Sequence, residues 1–379
     1  MIYLDNSATT QPYPEVVKSY SQVATQFFAN PSSLHGLGGT VEKLYRESKK
    51  QMAQLLQVDA HELIMTASGT ESNNMALKSV AWTFRNRGKH IITTQIEHPS
   101  VLNTMAFLEK NGFEVTYLPV DKQGQVAVAD VEKHLRPDTI LVSIMHVNNE
   151  IGSIQPIQAI GDLLADYDHV LFHVDAVQSL TKVPLAIKAM KIDLLSASAH
   201  KFHGVRGAGI LYKNKYLRLE PLLHGGGQEE GFRSGTENVA AVVAMAKALR
   251  MEMARMQTEV SQLAALKNDF ILWLQTIEAV TVYSSTIGAP HICCFSIKGQ
   301  KGEVVVHALE AEGIYISTTS ACSSKSATID GTLIAMKVPN QAAKGAVRFS
   351  FNFDITAAKM AQVKTAVTKV IKNLSEVVN

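Results

Sequence analysis

The feature of this sequence that most restricts its fold is a succession of short apolar runs: Leu63 to Thr66, His90 to Thr94, Phe113 to Leu118, Thr139 to Met145, Val170 to Val174 and Ile192 to Ala197. Each has the length of a buried strand, and helical patterns lie between them. Strands that alternate with helices predict a mainly parallel sheet with both faces covered. Gly207 to Tyr212 adds one more strand, which brings the expected sheet to seven. The expected fold class is therefore α/β.

The flanking segments differ in character. Ile2 to Leu4 reads as a short strand, Pro14 to Phe27 as a helix, and Asn30 to Gly39 as a polar, glycine-rich loop. A further helix is expected from Thr40, which is placed to cap it, with Val41, Leu44, Tyr45, Ser48, Met52, Leu55 and Leu56 on one face. Glu237 to Ile277 is a nearly continuous helical pattern without proline. Beyond it come strands at Val280 to Tyr283, Ile292 to Ile297 and Ala346 to Phe351, a helix near Gly302 to Glu312, and a last amphipathic helix. A chain of 379 residues exceeds one ordinary core. The expected division is a large domain over 13–257 and a smaller α+β domain made of 1–12 and 258–379, with the long helix between them.

A net charge of +2 without a lysine or arginine cluster argues against nucleic-acid and membrane-surface partners. No stretch is apolar enough to span a bilayer, and the first residues carry no secretory pattern. Three cysteines, two of them adjacent, make no disulfide framework, so a cytoplasmic location is expected. Histidine pairs such as His200/His203 lack partners at ligand spacing, so no metal site is expected.

The chemistry gathers at strand ends. Asp175 and Lys201 follow two of the runs, where open α/β sheets hold their ligands. A lysine whose site lowers its pKa forms imines, and an acid can keep a pyridinium nitrogen protonated, which is the pairing a pyridoxal phosphate (PLP) enzyme needs. By themselves, an isolated Asp and Lys read as a strand-end salt bridge, and their neighbours decide the matter. Ser68-Gly69-Thr70 opens a helix and suits either a phosphate or an ordinary cap. His98 can stack on a flat ring or carry protons. Asn149 can bind a cofactor oxygen or a carboxylate, or serve as a turn residue, and Gln178 can reach a phenolate oxygen. Cys322 lies in the polar stretch Ser317 to Ser326, unlike Cys293 and Cys294 in an apolar run, and reads as a nucleophile. Arg348, with few charged neighbours in sequence, can fork a substrate carboxylate or form a rim salt bridge.

Nine blocks in order, Tyr3 to Thr10, Asn30 to Ser33, Ser68 to Asn74, Glu97-His98, Asn148 to Gly152, His173 to Ala176, His200-Lys201, Arg233 to Asn238 and Ser320 to Ser323, resemble the NifS/IscS-type cysteine desulfurases over essentially the whole chain. These are PLP enzymes of the class V aminotransferase family with the type I PLP-transferase fold. The resemblance implies that Lys201 binds the cofactor aldehyde, Asp175 pairs with the ring nitrogen, Gln178 meets the ring hydroxyl and His98 stacks on the ring. Gly69, Thr70, Ser198 and His200 would hold the phosphate, and Thr236 would reach the phosphate of a partner subunit in a homodimer. Asn149 and Arg348 would bind the carboxylate of L-cysteine. Cys322 would take its sulfur as a persulfide and pass it to an acceptor protein for iron–sulfur clusters or tRNA thiolation.

The context of Cys322, on a loop over about 317–337, is similar to the class I branch. Glu230 and Phe232 stand where many relatives carry basic residues, Thr319 where glycine is usual, and Val205-Arg206 replaces a common Pro-Lys; these bear on the acceptor surface rather than the chemistry. A selenocysteine lyase, an aminotransferase of the same fold, or a cofactor-free scaffold are the competing readings.

Overall fold

The apolar runs become the strands of one sheet. A computed structural model describes residues 1–319 and 331–378. Its first half runs β1 (Ile2–Tyr3), α1 (Pro14–Gln26), α2 (Gly36–Leu56), β2 (Leu63–Thr66), α3 (Gly69–Phe84), β3 (His90–Thr94), α4 (Pro99–Lys110), β4 (Glu114–Leu118), α5 (Val128–His134), β5 (Thr139–Met145), α6 (Ile157–Leu164), β6 (Leu171–Asp175), β7 (Leu194–Ser198) and β8 (Gly209–Lys213). The rest comprises α7 (Val239–Gln275), β9 (Val280–Val282), β10 (Ile292–Ile297), α8 (Gly302–Ala311), β11 (Ile314–Tyr315), β12 (Ser317–Thr318), α9 (Thr332–Ala335), α10 (Asn340–Lys344), β13 (Ala346–Ser350) and α11 (Ala357–Val378).

The large sheet has seven strands in the order β2-β8-β7-β6-β5-β3-β4. All neighbours pair in parallel except at β8, which is antiparallel to both β2 and β7. Every residue of β3, β5, β6 and β7 is buried. Helices on both faces explain why these strands are apolar throughout instead of alternating.

A second, antiparallel sheet runs β12-β13-β10-β9. Its core is aromatic: Phe270 of α7 meets Phe295 of β10 and Phe349 and Phe351 at ring-centroid distances of 5.4 to 6.4 Å. Helix α7 belongs to both cores. Val239 to Leu249 packs with the large-sheet residues, and Leu263 to Leu274 packs with the small sheet. The first strand joins the C-terminal part as well, since β1 pairs with β11 and Asp5 bridges to Ser350.

One helix start departs from expectation. Helix α2 begins at Gly36, not Thr40, and the His35 ring nitrogen caps it by accepting from Gly38 N at 3.2 Å. Gly38 is required there, because a Cβ would lie 2.3 Å from the Ser33 carbonyl oxygen. A loop composition thus hides a helical turn that packs too closely for any side chain. Among the described residues, no helix is long and apolar enough to cross a membrane.

Candidate active site

Strands β6 and β7 are parallel neighbours, so their carboxyl ends deliver side chains to one edge. Asp175 is the last residue of β6, and β7 leads straight into a 3-10 turn, Ala199–Lys201, that presents the lysine. A cavity of about 300 Å³ opens at this edge. Ten of the twelve expected site residues line it: Gly69, Thr70, His98, Asn149, Asp175, Gln178, Ser198, His200, Lys201 and Arg348. Thr236 is exposed and lines no part of it, and Cys322 lies outside the described residues. A larger cavity of about 600 Å³ near Tyr45 and Lys49 is lined by none of the expected site residues among those described. Its buried carboxylate, Glu229, is committed to Tyr45, Lys49 and Met65 N.

Each cavity group is held from outside. Asp175 accepts from Asn73 Nδ2 at 2.7 Å and from Val177 N at 2.9 Å. The Lys201 ammonium donates to the carbonyls of Ser7 and Ala8, which tie the N-terminal segment over the site. Gln178 Nε2 donates to Ser7 O at 3.0 Å, and His200 Nδ1 lies 3.2 Å from Thr9 Oγ1. Burial, with Lys201 and Arg206 nearby, pushes His200 down to about 4, so its imidazole is neutral at pH 7. Burial also lowers His98, against the pull of Asp175. Just beneath, Glu97 is pushed up to about 8 by burial, and its Oε1 accepts from Thr94 Oγ1 and Met145 N.

The two amides after β5 divide their roles. Asn148 builds the turn, its Oδ1 accepting from Glu150 N and Ile151 N, and Asn149 lines the cavity. Arg348 is only 5% exposed and has a charged neighbour that its sequence surroundings conceal. Its Nη2 pairs with Asp5 Oδ1 at 2.9 Å, and its Nη1 donates to Asn149 O at 2.9 Å. Asp5, Asn73 and Ser100 are thus site residues missing from the sequence reading. The one signal for Asp5 and Asn73 was membership of the blocks Tyr3 to Thr10 and Ser68 to Asn74, while Ser100 lies just past the block Glu97-His98.

The cavity suits a phosphorylated aromatic aldehyde. Ser198 Oγ and Arg348 Nε are buried and accept or donate no hydrogen bond among the described residues, so each has capacity left for an anion. The N-terminus of the 16-residue helix α3 enters the same space. A Cβ on Gly69 would stand 2.6 Å from Val177 Cγ2, so glycine lets α3 approach the loop after Asp175. In contrast, Cys293 and Cys294 are fully buried in β10, and burial pushes the Cys293 thiol up to about 12, which suppresses the thiolate.

Comparison with known proteins matches this geometry. The family model for aminotransferase class-V covers residues 2–363. A NifS/IcsS protein homolog from Lactobacillus delbrueckii subsp. bulgaricus is 48% identical over 100% of this chain and 99% of its own length. Cysteine desulfurase IscS from Dictyoglomus turgidum is 41% identical over 98% of this chain and 95% of its own. A solved NifS-like protein superposes with a TM-score of 0.91 at 35% identity, covering 99% of both chains.

Proposed function

Because this chain belongs to the aminotransferase class-V family, among its NifS/IscS-type cysteine desulfurases, we propose that Lys201, Asp175 and Cys322 together move the sulfur of L-cysteine onto Cys322. The observation that carries the assignment is the single cavity in which the amine of Lys201 and the carboxylate of Asp175 meet the buried guanidinium of Arg348. The family is generally PLP-dependent, and bound PLP would supply an electron sink for charge developing on the substrate carbons.

The chain's own groups do the rest. Arg348 and Asn149 hold the cysteine carboxylate, and Asp175 keeps the ring nitrogen of the cofactor protonated. Ser198, His200, Gly69 and Thr70 receive the phosphate, Gln178 the ring hydroxyl and His98 the ring face. Lys201 removes the proton from the substrate α-carbon. The Cys322 thiolate attacks the substrate sulfur, so an S–S bond forms as the carbon–sulfur bond breaks. L-Cysteine and the Cys322 thiol become L-alanine and a Cys322 persulfide, which balances without an added oxidant.

The persulfide is destined for an acceptor protein in iron–sulfur cluster assembly or tRNA thiolation, in a cytoplasmic homodimer. The exposed position of Thr236, away from its own cavity, supports its reach to a partner subunit. The separate cores that meet along α7 support the division at 257/258. The test is Cys322→Ala. It should keep the yellow cofactor and the spectral change on adding cysteine, yet lose persulfide and turnover. Undiminished sulfide release by this variant with reductant present would refute the assignment.

A further inference from the structure

Asn73, in the second turn of α3, is 1% exposed and spends both hydrogens of its amide nitrogen. One goes to Asp175 Oδ2 at 2.7 Å and the other to Ser100 Oγ at 2.9 Å. The orientation of the amide is fixed, because the Asp175 carboxylate accepts at both oxygens and repels a carbonyl. Ser100 Oγ, having accepted from Asn73, has its own hydrogen left for His98 Nδ1 at 2.8 Å. The Ser100 backbone N–H donates to that same nitrogen at 3.1 Å, as the cap of α4.

Two donors converge on Nδ1, so no proton fits there. We infer that Asn73 and Ser100 are positioning residues that hold His98 as its neutral Nε2–H tautomer, with the charge of Asp175 dictating the direction of the whole chain of donors. Any proton that His98 exchanges with a cavity group is then the one on Nε2. Protonation of Nδ1 would set an N–H against a backbone N–H, which the fold cannot relieve because the cap is fixed by α4. The charged groups facing His98 are Asp175 from β6, which favours the imidazolium, and Lys201 from the turn after β7, which opposes it. Burial adds to the opposition.

This deepens the proposed role of His98 and rests on it for any consequence in turnover, but the tautomer is readable without turnover. The experiment is 15N NMR of the full-length protein labelled at histidine, with His98 assigned by its loss in His98→Gln. From about pH 6 to about pH 9 the wild-type ring should show a protonated Nε2 and a bare Nδ1. Ser100→Ala should raise the proton affinity of His98 about tenfold, an upward shift of about one pH unit, by removing a bond made only to the neutral ring, and Asn73→Ala should raise it in the same direction by freeing Ser100 Oγ to turn and accept from the ring. Should Asn73→Ala fail to fold, Ser100→Ala carries the test, since it deletes one hydroxyl from the first turn of α4 and keeps the backbone N–H that caps on His98. A wild-type ring protonated at Nδ1, or a His98 titration unmoved in the folded variants, overturns the inference. Loss of desulfuration with the tautomer intact would instead count against the proposed function.

Discussion

Two buried polar clusters in this protein differ in one respect. Where α1, α7 and the C-terminal part meet, Glu252 accepts from Tyr13 Oη and Lys182 Nζ, and Arg255 reaches Tyr13 Oη, Glu259 and Asp354 at 2.7 to 2.9 Å. Lys182 and Glu252 are almost fully buried, yet nearly every polar atom there is answered; among the described residues of this cluster only His203 Nε2, 4.0 Å from Glu252, makes no hydrogen bond. At the sheet edge, Ser198 Oγ, Arg348 Nε, Asn73 Oδ1 and Ser7 Oγ are left without partners among the described residues. A bare buried group costs about 1–3 kcal/mol, a cost a fold tolerates where a ligand supplies the missing bond. Saturation marks the first cluster as a structural clasp, and incompleteness marks the second as a binding site.

The sharpest way to break this contrast is to remove one charge from each. Lys201→Ala should lower desulfurase turnover by at least about 10³-fold, measured as alanine formed per minute, because no other amine among the described residues lines the cavity to take the substrate proton. Its thermal midpoint should change little. Glu252→Ala should do the reverse, destabilising the fold by about 3–5 kcal/mol in denaturant unfolding by leaving Lys182 buried and unpaired. The folded fraction should keep its activity.

The pH dependence follows from the same cluster. Burial alone would raise the Glu252 carboxyl, but Lys182 and His203 outweigh it and hold the group below its ordinary 4.5. The folded protein therefore binds that proton less readily than the unfolded chain. The stability so gained is fully present above 4.5 and disappears as pH falls through the depressed folded value. Glu252→Gln should flatten this acid limb in a series of melting curves, and an unchanged limb would mean that other carboxylates carry it.

The two regions were unequally legible in the sequence. β2, β3, β5 and β10 fall residue for residue on the expected runs, because a strand buried on both faces is apolar throughout and bounded by polar turns. Asp175, Lys201 and His98 were legible for a related reason: parallel strands put their ends at one edge, so position along the chain already implied proximity. Asp5 and Asn73 act at a distance in sequence. Asp5 meets Arg348 only because the first strand is carried to the far end of the chain, 343 positions away, and Asn73 reaches Asp175 across 102. The clasp around Glu252 was invisible for the same reason, since its members come from the residue that precedes α1, from α7 and from the loops after β6 and β13.

Asp5 offers the finest test of the difference between an answered and an unanswered charge, because it half-answers Arg348. It takes Nη2 and leaves Nε bare, so it both aims the guanidinium and opposes the carboxylate of an incoming cysteine. The two effects separate by substitution. Asp5→Asn keeps an oxygen for Nη2 but removes the negative charge, relieving repulsion on the order of 1 kcal/mol, so KM for cysteine should fall about fivefold with kcat nearly constant. Asp5→Ala loses the aim as well, and KM should rise. Burial raises the Asp5 carboxyl above its ordinary value against the pull of Arg348 and Lys201, so acid discharges it sooner than an exposed aspartate. The wild-type KM should accordingly approach that of Asp5→Asn as pH falls, while the variant stays flat. If the two profiles run parallel, Asp5 steers Arg348 by geometry alone and its charge plays no part in binding cysteine.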